Sequence, residues 1–233
     1  GTSLVSAAGQ PFRPTTGEGL EAGVKYAPPG SRMLLTAAVF DINQKNVVVN
    51  TPTFIPFQVG GVRVKGVEAD ARVSLTDELD VIAGAAHIRP IVEDHVNPAI
   101  VGKDLPAVAR DSAFLWAFYT VRTGPLAGLG IGGGLRYTGA VWGDDANTIR
   151  VPGYTLFDAA LTYDFKYLNP DWRGLHLRVN AMNVADKVHV TNCFTGLAYC
   201  AYGQPRTVLA TLTYRWSEAA QPLVRRGQRR RAR

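Results

Sequence analysis

Two cysteines, Cys193 and Cys200, sit among aromatics in the segment CFTGLAYCAYG. A thiol pair this close in a loop-like stretch reads either as a local disulfide, made in an oxidising compartment, or as two free thiols. The surrounding Phe194, Tyr199 and Tyr202 either pack about the clip or offer aromatic faces to a small, partly apolar ligand. Under the second reading Phe194, Tyr199, Tyr202 and Trp142 are the candidate ligand-binding residues. Other reactive groups are scattered. His87, His95, His176 and His189 show neither an HExxH spacing nor a pairing with the cysteines, so no metal site is expected. Asp144-Asp145 in WGDDANTIRVPGY offers carboxylates suited to calcium, but without an EF-hand pattern it reads as a solvated loop. Ser74 and Ser112 lack a nucleophile-elbow context, and no catalytic constellation or cofactor site is expected.

The run from Gly128 to Gly134, GLGIGGG, does not make a phosphate loop. Such a loop needs a strand before it and a helix after it, whereas LRYTGAVW continues as strand. Alternate glycines at Gly128, Gly130, Gly132 and Gly134 either leave room for something lodged inside a barrel or mark a flexible bend.

The elements that must carry these residues are strands with a period of two. In RTVLATLTYRW, Val208, Ala210, Leu212, Tyr214 and Trp216 share one face, with Thr207, Thr211, Thr213 and Arg215 on the other. One apolar row ending in two aromatics fits a strand between lipid and water. The same alternation recurs in Leu20 to Tyr26, Val67 to Val73, Leu129 to Tyr137, Phe157 to Tyr163 and Leu175 to Ala181. Residues 31–43, 79–90 and 112–122 carry apolar residues on both faces and fit strands by context. The reading predicts nine strands near 17–27, 31–43, 60–74, 78–90, 110–122, 127–142, 152–165, 173–183 and 205–216. Tight turns near Gly30, Asp77, Gly124 and Pro170 alternate with long connections at 44–59, 91–109, 143–151 and 184–204, as turns and loops do in outer-membrane barrels. The long loops are then extracellular and the C-terminus periplasmic. A soluble sandwich would not require this alternation.

Composition agrees. Charged residues are 19% of the chain, and no run reaches the roughly 18 apolar residues of a membrane-spanning helix. The net charge of +6 is concentrated in residues 217–233, where six arginines against Glu218 supply all but one unit. So short a basic run reads as a disordered tail rather than a nucleic-acid site. The start GTSLVSAAGQPFRP lacks a signal peptide's basic and apolar regions, so the chain reads as beginning within a longer protein.

Five segments, PFRPTTGEGLEAGVKYAPPGSRMLLTAAVFDINQKNVVV, GGVRVKGVEADA, GLGIGGGLRYTGAVWGDDANTIRVPGYTLFDAALTYDF, NAMNVADKVHVTNCF and YGQPRTVLATLTYRW, follow one another in order. Together they resemble the C-terminal barrel of TonB-dependent ferric-siderophore receptors, the ferrichrome and hydroxamate branch above all. The resemblance implies an all-β, antiparallel transmembrane β-barrel of about twenty-two strands, of which residues 1–216 supply the last nine. It implies a receptor in the bacterial outer membrane that takes up ferric siderophores without catalysis. It also implies an N-terminal plug, absent from these residues, through which the TonB complex acts. Iron stays in the siderophore, so the protein supplies neither cofactor nor metal ligand. By the same resemblance Cys193 and Cys200 form the last-loop disulfide, and Phe194 faces the siderophore. Leu212, Tyr214 and Trp216 match the signal read by the outer-membrane assembly machinery. Members stop at that aromatic, so a readthrough, frameshift or fragmentary gene would account for the tail. The competing reading is a porin-like passive barrel or a non-functional remnant of a receptor gene.

Overall fold

The computed structural model describes residues 11–50, 56–194 and 199–216; the basic tail lies outside them. In chain order the first strands are β1 (Thr16–Tyr26), β2 (Met33–Asn50), β3 (Pro56–Ser74), β4 (Leu79–Asp94), β5 (Asp111–Thr120) and β6 (Leu129–Thr138). There follow β7 (Val141–Trp142), β8 (Arg150–Val151), β9 (Tyr154–Asp164), β10 (Leu175–Met182), β11 (Val190–Phe194), β12 (Tyr199–Tyr202) and β13 (Thr207–Tyr214). Nine of these form one sheet in the order β1-β2-β3-β4-β5-β6-β9-β10-β13, every pair antiparallel. The sheet is open, with β1 and β13 as its edges. Two small ribbons, β7-β8 and β11-β12, stand at its long-loop end.

Register carries the sequence alternation across all nine strands, because directly opposed residues share a face. One row runs Val24, Ala37, Ala69, Ala85, Ala113, Tyr137 from β1 to β6. Another runs Leu129, Tyr163, Leu177, Leu212 from β6 to β13. On the opposite face Lys25, Thr36, Asp70, Gly84, Phe114 and Arg136 stand in line. The apolar face is open over its whole width: Val24 is 72% exposed at one edge and Leu212 63% at the other. An unbroken apolar wall of this size is unsuited to water and suited to lipid, with the mixed face turned toward a lumen. The few buried aliphatics, Val62, Val92, Val141, Val151 and Leu156, gather at the long-loop end, beneath the connections.

Two expectations change. The connection predicted at 44–59 is mostly strand: β2 and β3 remain paired from Val47 opposite Val59 to Asn50 opposite Pro56, leaving 51–55 outside the described residues. The run Val47-Val48-Val49 favours extended backbone. Asn46 interrupts the ladder with φ of 59°, a left-handed conformation that Asn tolerates. Strands of 18 and 19 residues exceed the roughly 9–11 needed to cross a bilayer, so this hairpin projects beyond the apolar band. The connections at 143–151 and 184–204 likewise contain the β7-β8 and β11-β12 ribbons.

The second change concerns the glycine run. Its space is taken by β5's own side chains. Trp116 lies opposite Gly134 and Phe118 opposite Gly132. A Cβ on Gly132 would stand 2.6 Å from the Trp116 ring and 2.7 Å from the Phe118 ring, and one on Gly134 would strike the Leu115 carbonyl. The rings therefore lie flat on bare backbone. Gly128 falls outside this row; it turns the chain ahead of β6 with φ of 90°, under the Tyr167 ring. This inner aromatic row, Phe114, Trp116 and Phe118, is also why 112–122 looks apolar on both faces.

Candidate functional site

The long-loop end holds the groups singled out in the sequence. In the β11-β12 hairpin Cys193 faces Cys200 in register, with Cα atoms 3.9 Å apart, and the two form a disulfide. The adjacent opposed pair is Phe194 and Tyr199. Period two puts Tyr199 on one face of the hairpin, and Cys200 and Tyr202 on the other. The tyrosines thus do not form one surface, although both are exposed, Tyr202 at 71%. The hairpin rests against its neighbour: a Cβ at Gly143 would come within 3.0 Å of the Cys193 Cβ.

Trp142, on β7, is half-buried and belongs to a latch between loops. Its indole N–H donates to Asp104 Oδ2 at 3.1 Å, while Arg110 Nη2 donates to Asp104 Oδ1 at 2.6 Å. Asn147 Nδ2 donates to the Asp104 carbonyl at 3.0 Å, and the Asp104 N–H donates to Asn147 Oδ1 at 2.7 Å. The Ala107 N–H closes the set on the Trp142 carbonyl at 2.8 Å. Asp104 is 7% exposed, and each of its carboxylate oxygens has a donor. The β4-β5 connection and the β7-β8 ribbon are in this way one unit.

A second unit ties the cysteine hairpin to the sheet. Asn183, 2% exposed with φ of 50°, follows β10 directly. Its Nδ2 donates to the carbonyls of Lys187 at 3.0 Å and Gln204 at 3.2 Å, and its Oδ1 accepts from the Lys187 N–H at 2.9 Å. Its own N–H donates to Asp158 Oδ1 at 2.9 Å, and Arg136 grips both Asp158 oxygens. One amide side chain holds both ends of the 184–204 connection. His189 packs close by, its ring 4.3 Å from that of Tyr154 and its Nδ1 3.0 Å from the Lys187 carbonyl.

Neither Asn183 nor the Asp104, Arg110 and Asn147 set was singled out in the sequence. Asn183 gave one faint signal: it ends an alternating strand and has Asp186 three residues on, a pattern suited to a side-chain-capped turn. Asp104 gave none.

Asp144 holds its own loop. Its carboxylate accepts from the N–H groups of Thr148 and Ile149, each at 2.8 Å, and from the Thr148 hydroxyl at 2.7 Å. No cluster of metal-ligating side chains occurs among the described residues. Burial pushes the Asp144 carboxyl up, but these donors outweigh it and hold the group below the usual carboxylate range. A depressed value stabilises the loop above the unfolded-state pKa, and that stabilisation is lost as pH falls through the folded one. The Thr148 and Ile149 amides should therefore keep their hydrogen-exchange protection from pH 7 to about 5 and lose it only below about 4. Asp144→Asn should remove the acid step. Loss of protection already near pH 6 would contradict this account.

An open antiparallel wall, apolar outside, mixed inside and crowned by interlocked loops, defines a segment of a large transmembrane β-barrel. The chain belongs to the TonB dependent receptor-like, beta-barrel family, whose model matches residues 1–184. It is 38% identical over 209 residues to the ferrioxamine receptor of Yersinia enterocolitica, covering 87% of this chain and 28% of that one. It is 34% identical over 217 residues to the ferrichrome outer membrane transporter/phage receptor of Escherichia coli K12, covering 92% and 28%. Among solved structures it superposes on the siderophore receptor PiuA of Acinetobacter baumannii with a TM-score of 0.70 at 26% identity, over 90% of this chain and 30% of that one. The chain thus spans less than a third of the length of these relatives.

Proposed function

We propose that this chain is the C-terminal wall of an outer-membrane receptor that takes up a ferric hydroxamate-type siderophore by a TonB-energised, non-enzymatic route. The observation that carries the reading is the unbroken register of one apolar face across nine strands, in a chain similar over most of its length to a ferrioxamine and a ferrichrome receptor. In this reading the long loops face outward and β13 ends at the periplasm, because tight turns and long connections alternate. The plug and the TonB contact lie outside these 233 residues. Iron enters inside its siderophore, and the organic shell meets the rim that carries Phe194, Tyr199, Tyr202 and Trp142, with Trp142 acting there by contact or through the loops it latches. Leu212 and Tyr214, exposed on one face of the last strand, and Trp216 just beyond it, edge to face with Tyr214 at 5.3 Å, serve barrel assembly.

The receptor that contains this stretch should fractionate with the outer membrane and bind ferric hydroxamates. Phe194→Ala and Tyr202→Ala should each weaken that binding by about five- to thirtyfold, the effect of losing roughly 1–2 kcal/mol of aromatic contact. Unchanged affinity in both variants would remove the aromatic rim from the reading. Absence from the outer membrane would remove the reading itself.

A further inference from the structure

The two latched units meet at one residue. In the β7-β8 ribbon Val141 opposes Val151 and Trp142 opposes Arg150, and the Gly143 N–H extends the ladder by donating to the Ile149 carbonyl at 2.8 Å. Period two then gives the ribbon two faces. Trp142 stands on one and reaches Asp104 from it. Val141, Gly143, Ile149 and Val151 stand on the other, and β11 lies against both short strands. That second face is closed: Val141 is 6% and Val151 3% exposed, and Gly143 is buried.

The contact with the hairpin is made without a side chain. A Cβ at Gly143 would stand 3.0 Å from the Cys193 Cβ, 3.2 Å from the Cys193 carbonyl oxygen and 3.3 Å from Ile149 Cγ2. At such distances a neighbour must yield. Gly143 does not have the positive φ that favours glycine, so the close approach of β11 is what requires a glycine here. Ile149, 40% exposed, has room to turn away, whereas Cys193 is bonded through its sulfur to Cys200 on the paired strand. Whatever displaces Cys193 therefore displaces β12 with it, Tyr199 and Tyr202 included.

We infer that Gly143 is a positioning residue for siderophore capture: it sets how deeply the disulfide hairpin seats on the ribbon, and so fixes the spacing between the hairpin and Trp142. Through this contact the two latches act as one rim. The Asp104 set holds the ribbon from one face, and the Asn183 set holds the connection whose hairpin rests on the other. The inference rests on the proposed function, in which these units meet a ferric hydroxamate. A larger residue at position 143 should then lower affinity with every candidate contact residue still in place.

The test uses the whole receptor that contains this stretch, in neutral detergent, with heat-modifiable gel migration reporting a folded barrel. Two amides are followed by hydrogen exchange: Gly203, which donates to the His189 carbonyl at 2.9 Å at the base of the hairpin, and Ala107 in the latch. Gly143→Val should lower Gly203 protection about tenfold and Gly143→Ala about threefold, as graded overpacking does. Affinity for two ferric hydroxamates, ferrichrome and ferrioxamine B, should fall in the same order. In the wild-type background Asp104→Ala should lower protection at both amides; added to Gly143→Val it should lower Ala107 alone. A packing defect confined to position 143 would not change that range. Unchanged affinity for both probes in Gly143→Val would overturn the inference, as would an Asp104→Ala effect on Gly203 that is absent in wild type or equal in the two backgrounds. Should Gly143→Val fail to fold, Gly143→Ala decides by the same criteria. A wild-type receptor that binds neither probe would count against the proposed function, and the exchange results alone would then decide the coupling.

Discussion

Asn183→Leu should open the 184–204 connection while leaving the nine-stranded sheet in place. The substitution removes three side-chain hydrogen bonds in a site that is 2% exposed. It leaves the Lys187 N–H and the Lys187 and Gln204 carbonyls without the partner that reached all of them. A neutral hydrogen bond contributes about 1 kcal/mol net, and a buried group left unpaired costs about 1–3 kcal/mol, so a total near 3–5 kcal/mol is expected. Leu also tolerates a φ of 50° less well than Asn, which adds about 1 kcal/mol. Two further variants separate these causes. Asn183→Gly relieves the backbone but loses the bonds, so it should recover only the smaller part; Asn183→Asp keeps the acceptor for Lys187 and loses both donors, so it should fall between. The measurement is limited proteolysis of the connection under non-reducing conditions, with thermal melting of the barrel as the second readout. The disulfide closes only the hairpin tip, from Cys193 to Cys200, and does not hold the ends that Asn183 holds. A connection as resistant to protease in Asn183→Leu as in wild type would show that the hub is not what orders it.

What the sequence revealed and what it hid follow from the range of the interactions concerned. Alternation is local, so rows such as Val67, Ala69, Ala71 and Val73 announced both the strand and the face it presents. The tight turns were legible for the same reason. The β2-β3 hairpin was cut short because Asn43, Gln44, Lys45 and Asn46 look like a loop, although Val47 to Val49 resume the ladder against residues up to Phe57. Polar residues are at home in strands that project beyond an apolar band, and no local rule marks where the band ends. The glycine run was ambiguous because its occupants, Trp116 and Phe118, lie on a different strand. Of the site, the cysteine pair and its aromatics were visible as a cluster in eleven consecutive residues. The latch was not: Asp104, Trp142 and Asn147 are brought together across 38 and 43 positions of chain, and nothing in DLPAVAR distinguishes that aspartate from a solvated one.

That latch leads to the second large effect. Asp104→Ala should uncouple the β4-β5 connection from the β7-β8 ribbon and free Trp142. The carboxylate accepts from the Trp142 indole and the Arg110 guanidinium, and its removal leaves both donors without it. Arg110 keeps access to solvent, its side chain being 42% exposed, so its charge can rehydrate and the loss is discounted accordingly. About 2 kcal/mol is expected, mostly from the buried indole and from loosening the Asn147 bonds to the Asp104 backbone. The Ala107 amide, which donates to the Trp142 carbonyl, is the local probe, and its hydrogen-exchange protection should fall by about thirtyfold for that energy. Asp104→Asn retains an acceptor for the indole and should preserve most of the protection, whereas a purely electrostatic latch would lose it in both variants. The comparison also sorts the roles of Trp142. If, in the proposed receptor, its ring meets the ligand directly, Trp142→Ala should weaken ferric-siderophore binding more than Asp104→Ala does. If it acts only by ordering the rim, the two substitutions should weaken binding equally, and their double variant should be no worse than either alone.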